Sequence, residues 1–122
     1  MIDAGLMAAI LDSLKDPILV ADTEHVTRYM NRAAMAYYEE GADLIGRSLL
    51  DCHNERSQQM MVDILAAMQT EGLEEQLITD NEKHRIYMRA VRDPEGGMLG
   101  YYERYEPPRG ERQTAGDQQE TK

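Results

Sequence analysis

The order of strand-forming runs and short turns constrains the fold of this chain more than any other feature of its sequence. After Gly72 there are three strand-forming runs, and turn-forming residues at 80–83 and 93–97 separate them. Turns this short allow only hairpins, in which neighbouring strands are antiparallel. Two shorter runs, at 17–21 and 26–30, flank a polar tetrapeptide and predict a further hairpin. The sequence therefore predicts a five-stranded antiparallel sheet.

Two longer segments have the periodicity of amphipathic helices. Residues 2–14 place their apolar side chains on an arc of about 180°, which is wider than one contact stripe needs. We expect this helix to pack on its own sheet and on a partner; the alternative is a helix lying in a groove of its own domain. A second helix is predicted from Asn54 to about Thr70, and Asn31 is a predicted N-cap of a short helix. With the sheet, these segments predict an α+β fold with helices covering one face.

Charge and cysteine content exclude several classes of function. The 122 residues include 13 basic and 23 acidic ones, a formal charge of −10, so nucleic acid and anionic membrane surfaces are poor partners. No apolar run approaches the roughly 18 residues of a membrane span. The first basic residue, Lys15, follows Asp3 and Asp12, unlike the start of a secretory signal peptide. Cys52 is the only cysteine, which excludes an internal disulfide and a multi-cysteine zinc site. We expect a cytoplasmic protein.

Several short motifs, taken in order, resemble the PAS domain family. The motifs are Asp16-Pro17-Ile18-Leu19-Val20-Ala21-Asp22, Tyr29-Met30-Asn31-Arg32-Ala33-Ala34, Leu44-Ile45-Gly46-Arg47-Ser48, Val91-Arg92-Asp93-Pro94-Glu95-Gly96 and Leu99-Gly100. Each motif is short, but their order and spacing are specific. The stretch from 46 to 57 is also similar to a PAS subfamily of prokaryotic regulators.

The resemblance divides the chain into three parts. It implies a PAS fold over 16–106, preceded by a capping or dimerisation helix over 1–15. The tail over 107–122 is predicted to be disordered, because beyond its two prolines it has no aliphatic side chain larger than alanine.

The resemblance implies a sensory role and no enzymatic activity. We expect a homodimer that senses a small ligand and passes a change in its sheet to a separate output protein. A ligand-free dimerisation module, with its pocket filled by Met and Leu, is the alternative. A small α+β barrel enzyme of the isomerase type would need a buried dyad of Asp, Tyr or His. The sequence shows no nucleophile–base pair, phosphate loop or zinc spacing.

Haem is a candidate cofactor, although the resemblance does not by itself name a ligand. Haem-binding PAS domains commonly place their proximal histidine on the helix that begins near His53, and a neutral imidazole binds haem iron well. Met88, on the apolar face of a predicted strand, is a candidate for the second axial ligand. The other side chains expected to line the slot are Met60, Met61, Ile64, Leu65, Met68 and Ile86, with Arg47, Arg85 or Arg89 at the propionates. An empty pocket, another small ligand and another cofactor stay open.

The remaining polar and aromatic residues are expected to have other roles. His25 lies in a turn and His84 beside one, so both are expected to be solvated. Tyr101 and Tyr105 share one face of the last strand, with Glu103 between them, and we expect a partner or the N-terminal helix to cover that face. Nine methionines and no Phe or Trp indicate an aliphatic core that repacks readily.

Overall fold

The computed structural model describes residues 3–108, without the side chain of Cys52. Its elements, in chain order, are α1 (Ala4–Asp12), β1 (Ile18–Asp22), β2 (Thr27–Met30), α2 (Arg32–Tyr37), two 3-10 turns (Gly41–Leu44 and Leu49–Cys52), α3 (Glu55–Thr70), β3 (Glu75–Asp80), β4 (Arg85–Arg92) and β5 (Met98–Glu106). All the predicted helices and strands are present. Within 3–108 no helix is both long enough and apolar enough to cross a membrane. Most of the predicted tail, residues 109–122, lies outside the described range.

The five strands form one antiparallel sheet in the order β2-β1-β5-β4-β3. The last strand of the chain, β5, is central and pairs with β1 on one side and β4 on the other. At Gly100 the strands approach so closely that a Cβ atom would lie 2.2 Å from the carbonyl oxygen of Ala21. Only glycine leaves room for this contact. The predicted α+β fold with a five-stranded sheet is confirmed.

The hydrophobic core lies on one face of the sheet, called here the inner face, beneath α2 and α3. Its buried members are Leu19, Ala21, Met30, Ala34, Leu44, Leu49, Met61, Ile64, Leu65, Met68, Met88 and Tyr101. Four of these are methionines with no exposed surface, so methionine fills the space that larger aromatic side chains occupy in other cores.

Tyr101 and Tyr105 lie on this inner face, so the expectation that a partner or the N-terminal helix covers them is wrong. In the register between β4 and β5, Ala90 pairs with Tyr101 and Ile86 pairs with Tyr105. Residues that pair directly across antiparallel strands project to the same side of the sheet. The same side carries Met88, which lies in the core. Strand alternation predicts that the two tyrosines share a face, but it does not predict which face.

Helix α1 is attached to the domain near its C-terminal end, although none of its residues is buried. The Tyr29 hydroxyl lies 2.7 Å from Oδ1 of Asp12, and the side-chain amide of Asn31 donates to the Leu11 carbonyl oxygen at 2.9 Å. The large apolar side chains left exposed on this segment are Leu6, Met7, Ile10 and Leu14. The helix therefore presents an apolar face that the other described residues of the chain do not bury.

Candidate ligand site

Most side chains predicted to line a haem slot lie together in the core. The packed cluster contains Met61, Ile64, Leu65, Met68 and Met88, none of them more than 8% exposed. Ile86 is buried on the same face of β4. Met60 differs from the prediction, because it is 36% exposed and lies outside the cluster. Since these side chains pack against one another, a planar macrocycle would have to separate α3 from the sheet.

His53 lies between the second 3-10 turn and Asn54, the N-cap of α3. Its backbone is held by two hydrogen bonds: its N–H donates to the Leu50 carbonyl oxygen at 3.0 Å, and its carbonyl oxygen accepts from Nε2 of Gln58 at 2.9 Å. The imidazole is half-buried, and burial lowers its pKa, which favours the neutral form. A neutral imidazole is the form that binds iron. The position predicted for His53, at the entrance of the long helix, is therefore the one observed.

The three arginines predicted as partners of the haem propionates lie on different sides of the sheet. Arg85 and Arg89 lie on the outer face of the sheet, opposite to the core. Their guanidinium groups lie 3.2 Å from a carboxylate oxygen of Glu106 and 3.5 Å from one of Glu75, respectively. Arg47 instead lines a cavity on the helical side of the sheet. Of the three, only Arg47 is placed where it could meet a ligand on that side.

Glu103 is a buried acid that the sequence analysis did not single out. It lies opposite Leu19 of β1 and Met88 of β4, both without exposed surface, and is itself only 3% exposed. Its Oε2 atom has no hydrogen-bond partner in the described residues. Burial raises the pKa of this carboxyl to about 7, because the charged form is poorly solvated in the core. The hydroxyl oxygen of Thr27, which is also buried, likewise lacks a partner in residues 3–108.

A histidine and a tyrosine distant in sequence meet at one end of the inner face. His25 is only 7% exposed, so the expectation that it is solvated is wrong. Its Nδ1 atom lies 2.7 Å from the Tyr101 hydroxyl oxygen, and the two rings meet edge to face. Burial lowers the pKa of His25 and raises that of Tyr101, so both side chains are neutral at physiological pH. The separation of 76 residues leaves no local signal for this pair.

Aromatic rings gather at the other end of the inner face. The hydroxyl groups of Tyr38 and Tyr105 are hydrogen-bonded to each other. The rings of Tyr37 and His84 pack against Tyr105, with ring centroids 5.2 and 5.1 Å from its own. His84 was expected to be solvated, but it is half-buried in this cluster. Because Tyr105 is two residues from Glu103 on one face of β5, the cluster lies next to the buried acid.

A cavity of about 340 Å³ opens beside Tyr38, where α2 and the 3-10 turns meet. Its lining residues are Tyr38, Glu40, Leu44, Arg47, Ser48 and Asp51. Another cavity, of about 350 Å³, lies on the outer face of the sheet and is lined by Leu11, Leu14, Ile18, Val20, Tyr102 and Arg104. Neither His53 nor Met88 lines either of these two cavities. The structure thus places the cavity on the helical side beside Tyr38, which the sequence analysis did not single out.

The residues that the structure describes contain no group of three or more His, Cys, Asp and Glu side chains that could hold a metal ion. Axial ligation of haem, by contrast, needs only two side chains.

Comparisons with known proteins identify the fold. A family described as the PAS fold matches residues 11–113. The crystal structure of a C-terminal domain from Streptococcus mutans has a TM-score of 0.74 at 15% identity, covering 93% of this chain and 90% of that one. The PAS domain of Bordetella pertussis BvgS has a TM-score of 0.65 at 18% identity, covering 97% of both chains.

A third structure is similar over less of this chain. It is the Aer2 receptor of Vibrio cholerae, described as a dual PAS-heme oxygen sensor, with a TM-score of 0.54 at 16% identity. The match covers 75% of this chain and 92% of that one. No curated protein sequence matches the chain. Because the family match extends over most of the 122 residues, the chain belongs to the PAS fold family.

Proposed function

We propose that this chain is a PAS sensory module that binds a small ligand on the helical side of its sheet and responds through a homodimer. The observation that supports a bound ligand is a pair of buried oxygen atoms, Oγ1 of Thr27 and Oε2 of Glu103, that have no hydrogen-bond partner among the described residues. Buried polar atoms are nearly always hydrogen-bonded, because leaving them unpaired costs about 1–3 kcal/mol each. A core that served packing alone would favour apolar side chains at these positions. A bound ligand would supply the missing partners.

The output end of the proposed module is α1 together with the outer-face cavity beside it. Leu6, Met7 and Ile10 are between 46% and 51% exposed, and the cavity is lined by apolar side chains from the end of α1 and from β1. A second copy of this chain, packing its own α1 across the same surface, would bury both apolar areas at once. The hydrogen bond from Asn31 to Leu11 ties α1 to the strand and helix beneath it. A shift in the core therefore has a direct route to the dimer interface.

Substitution of Ile10 by aspartate tests the dimer. The wild-type protein is expected to sediment at twice the chain mass of 13.9 kDa at about 100 µM, with an interface on the order of 1,200–2,000 Å². Ile10→Asp should weaken the dimer at least tenfold, because it places a charge in the centre of the apolar face of α1. Ile10 is 46% exposed, so the monomer fold should tolerate the change.

Val62→Asp is the matched control for this experiment. Val62 is 40% exposed on α3, away from the proposed interface. The control should sediment like the wild type. A monomeric wild-type protein at 100 µM, or equal dissociation in both variants, would show that α1 does not hold a dimer together.

Haem is a second candidate for the ligand, favoured by the half-buried imidazole of His53 with its lowered pKa. We expect hemin titration of the wild type to give a saturable Soret shift, and His53→Ala to weaken binding about tenfold through loss of the axial ligand. Met88→Leu keeps the side-chain volume and should change the coordination state while leaving haem bound. His25→Ala and His84→Ala are not suitable controls, since they break the ring contacts with Tyr101 and Tyr105, whereas Met60→Leu, at a partly exposed position outside the core cluster, should leave the spectrum unchanged.

Because the core is closely packed, two negative outcomes of the hemin titration are also informative. A wild-type protein without a saturable Soret shift would eliminate haem and leave other small ligands. A protein that dimerises but binds no ligand would be the ligand-free interaction module, whose expected feature is a pocket filled by Met and Leu. We propose no enzymatic activity.

A further inference from the structure

We propose that the cavity beside Tyr38 and the buried carboxyl of Glu103 form one site for a small organic cation, an amine or basic nitrogen heterocycle whose N–H group donates to Glu103. This inference rests on the proposed function, because it names the chemical class of the ligand at that site. It follows from three observations: within residues 3–108 Oε2 of Glu103 has no hydrogen-bond donor, two tyrosines link the cavity to this carboxyl, and acidic groups predominate around them.

Glu103 lacks a hydrogen-bond donor on every element that packs around it in the described residues. β1 and β4 present Leu19 and Met88 to it, and the buried side chains of α3 are all apolar. The adjacent Arg104 points to the outer face, where its guanidinium contacts Glu75 and Glu106 at 2.9 Å each.

The tyrosines on either side of Glu103 have other partners. On the same face of β5, the Tyr101 hydroxyl lies beside His25, and the Tyr105 hydroxyl is bonded to Tyr38. Both tyrosines are neutral, because burial raises their pKa values well above the usual range. A ligand N–H is therefore the partner that this carboxyl still lacks.

Two tyrosines link the wall of the cavity to the strand that carries this carboxyl. Tyr38 lines the cavity, and its hydroxyl group is bonded to that of Tyr105. Tyr105 is in turn two residues from Glu103 on the inner face of β5. A rotation of the half-buried Tyr38 side chain would open the cavity towards the carboxyl, and the surrounding methionines can repack around a ligand.

The charges around the proposed site favour a cation over an anion. Glu40 and Asp51 line the cavity together with one basic residue, Arg47, and Glu103 is the acidic group of the proposed site in the core. An anionic ligand would face three acidic groups against one guanidinium. The rings of Tyr37, Tyr38 and Tyr105 can also stabilise a cation through their faces. The formal charge of −10 on the whole chain adds a long-range attraction for cations.

Three probes that share a benzene ring but differ in charge test the ligand class. They are benzylamine, which is a cation, benzyl alcohol, which is neutral, and benzoate, which is an anion. We expect NMR titration at pH 8 to show saturable binding of benzylamine at least tenfold tighter than benzyl alcohol, and no binding of benzoate. Affinity for benzylamine should rise about tenfold from pH 6 to pH 8, because a carboxyl with a pKa of about 7 goes from about one-tenth to about nine-tenths ionised. This pH dependence is measured on the wild-type protein and needs no variant.

Glu103→Gln should remove both the preference for benzylamine and its pH dependence, because the amide keeps the shape of the side chain without the charge. Glu95→Gln, at an exposed turn, is the matched control and should behave like the wild type. Tighter binding of benzyl alcohol or benzoate than of benzylamine would overturn the cationic class while leaving a ligand-binding module in place. Equal binding of benzylamine to both variants, or no binding of any probe, would also overturn it. The Ile10→Asp experiment then decides separately whether the dimeric module stands.

Discussion

Replacement of Asn31 by alanine is expected to lower the free energy of unfolding by about 3 kcal/mol, since four backbone groups lose their partner at once. The side chain has no exposed surface. Its Oδ1 atom accepts from the N–H groups of Ile18 at 3.0 Å and Ala34 at 2.9 Å, the second of these being the cap of α2. Its Nδ2 atom donates to the carbonyl oxygens of Leu11 at 2.9 Å and Asp16 at 3.1 Å. Alanine would leave these groups unpaired where water reaches poorly.

Asn54→Ala is the matched control, because Asn54 caps α3 with a single hydrogen bond to the N–H of Ser57 at 2.9 Å and is exposed. Loss of an exposed cap costs about 1 kcal/mol. Asn31→Asp should lose at least as much stability as Asn31→Ala, because a buried carboxylate oxygen would then face the carbonyl oxygens of Leu11 and Asp16. Urea denaturation at neutral pH measures all three. Equal losses for Asn31→Ala and Asn54→Ala would mean that the additional hydrogen bonds of Asn31 contribute nothing to stability.

Asn31 also shows how local signals in the sequence predict structure. An Asn that precedes a run of helix formers is a predicted N-cap, and both Asn31 and Asn54 occupy that position. The hairpins of the sheet were predictable for a similar reason, because short turns leave antiparallel pairing as the only arrangement, whereas the pairing of β1 with β5 that joins them is a long-range contact. What the cap prediction missed is that Asn31 also holds the linker between α1 and β1. That role depends on tertiary contacts across 15 and 20 residues.

The candidate site was harder to predict, because its residues depend on register and long-range contacts. Alternation placed Tyr101, Glu103 and Tyr105 on one face, but only pairing with β4 makes that face the inner one. His25 was predicted to be solvated because it lies in a turn, and only its long-range contact with Tyr101 places it in a buried position. Acidic side chains are usually exposed, so the residue type alone predicts that Glu103 lies on the surface. Met60 was included with Met61 because both belong to the apolar arc of α3, but Met60 lies at the edge of that arc, where a side chain is partly exposed.

The free energy of unfolding of the wild type is expected to fall as the pH rises, because Glu103 ionises in the core. Relative to Glu103→Gln, the fall between pH 4.5 and pH 8 should be about 3 kcal/mol. The pKa of the carboxyl rises from 4.5 in the unfolded chain to about 7 in the folded one, so the folded state holds the proton more tightly. The stabilisation is complete below pH 4.5 and is lost as the pH rises through 7. A difference of about 2.5 pKa units corresponds to about 3 kcal/mol.

Urea denaturation of the wild type and of Glu103→Gln at pH 4.5, 6, 7 and 8 measures this loss, because every other titrating group is common to both proteins. Glu95→Gln should run parallel to the wild type, since its side chain is exposed. Parallel profiles for the wild type and Glu103→Gln would mean that the carboxyl is solvated or paired in solution. Addition of benzylamine at pH 8 should recover part of the lost stability in the wild type and none in Glu103→Gln, since a cation bound to the carboxylate offsets its charge in the core. The residue that destabilises the empty domain at high pH would then be the one that selects its ligand.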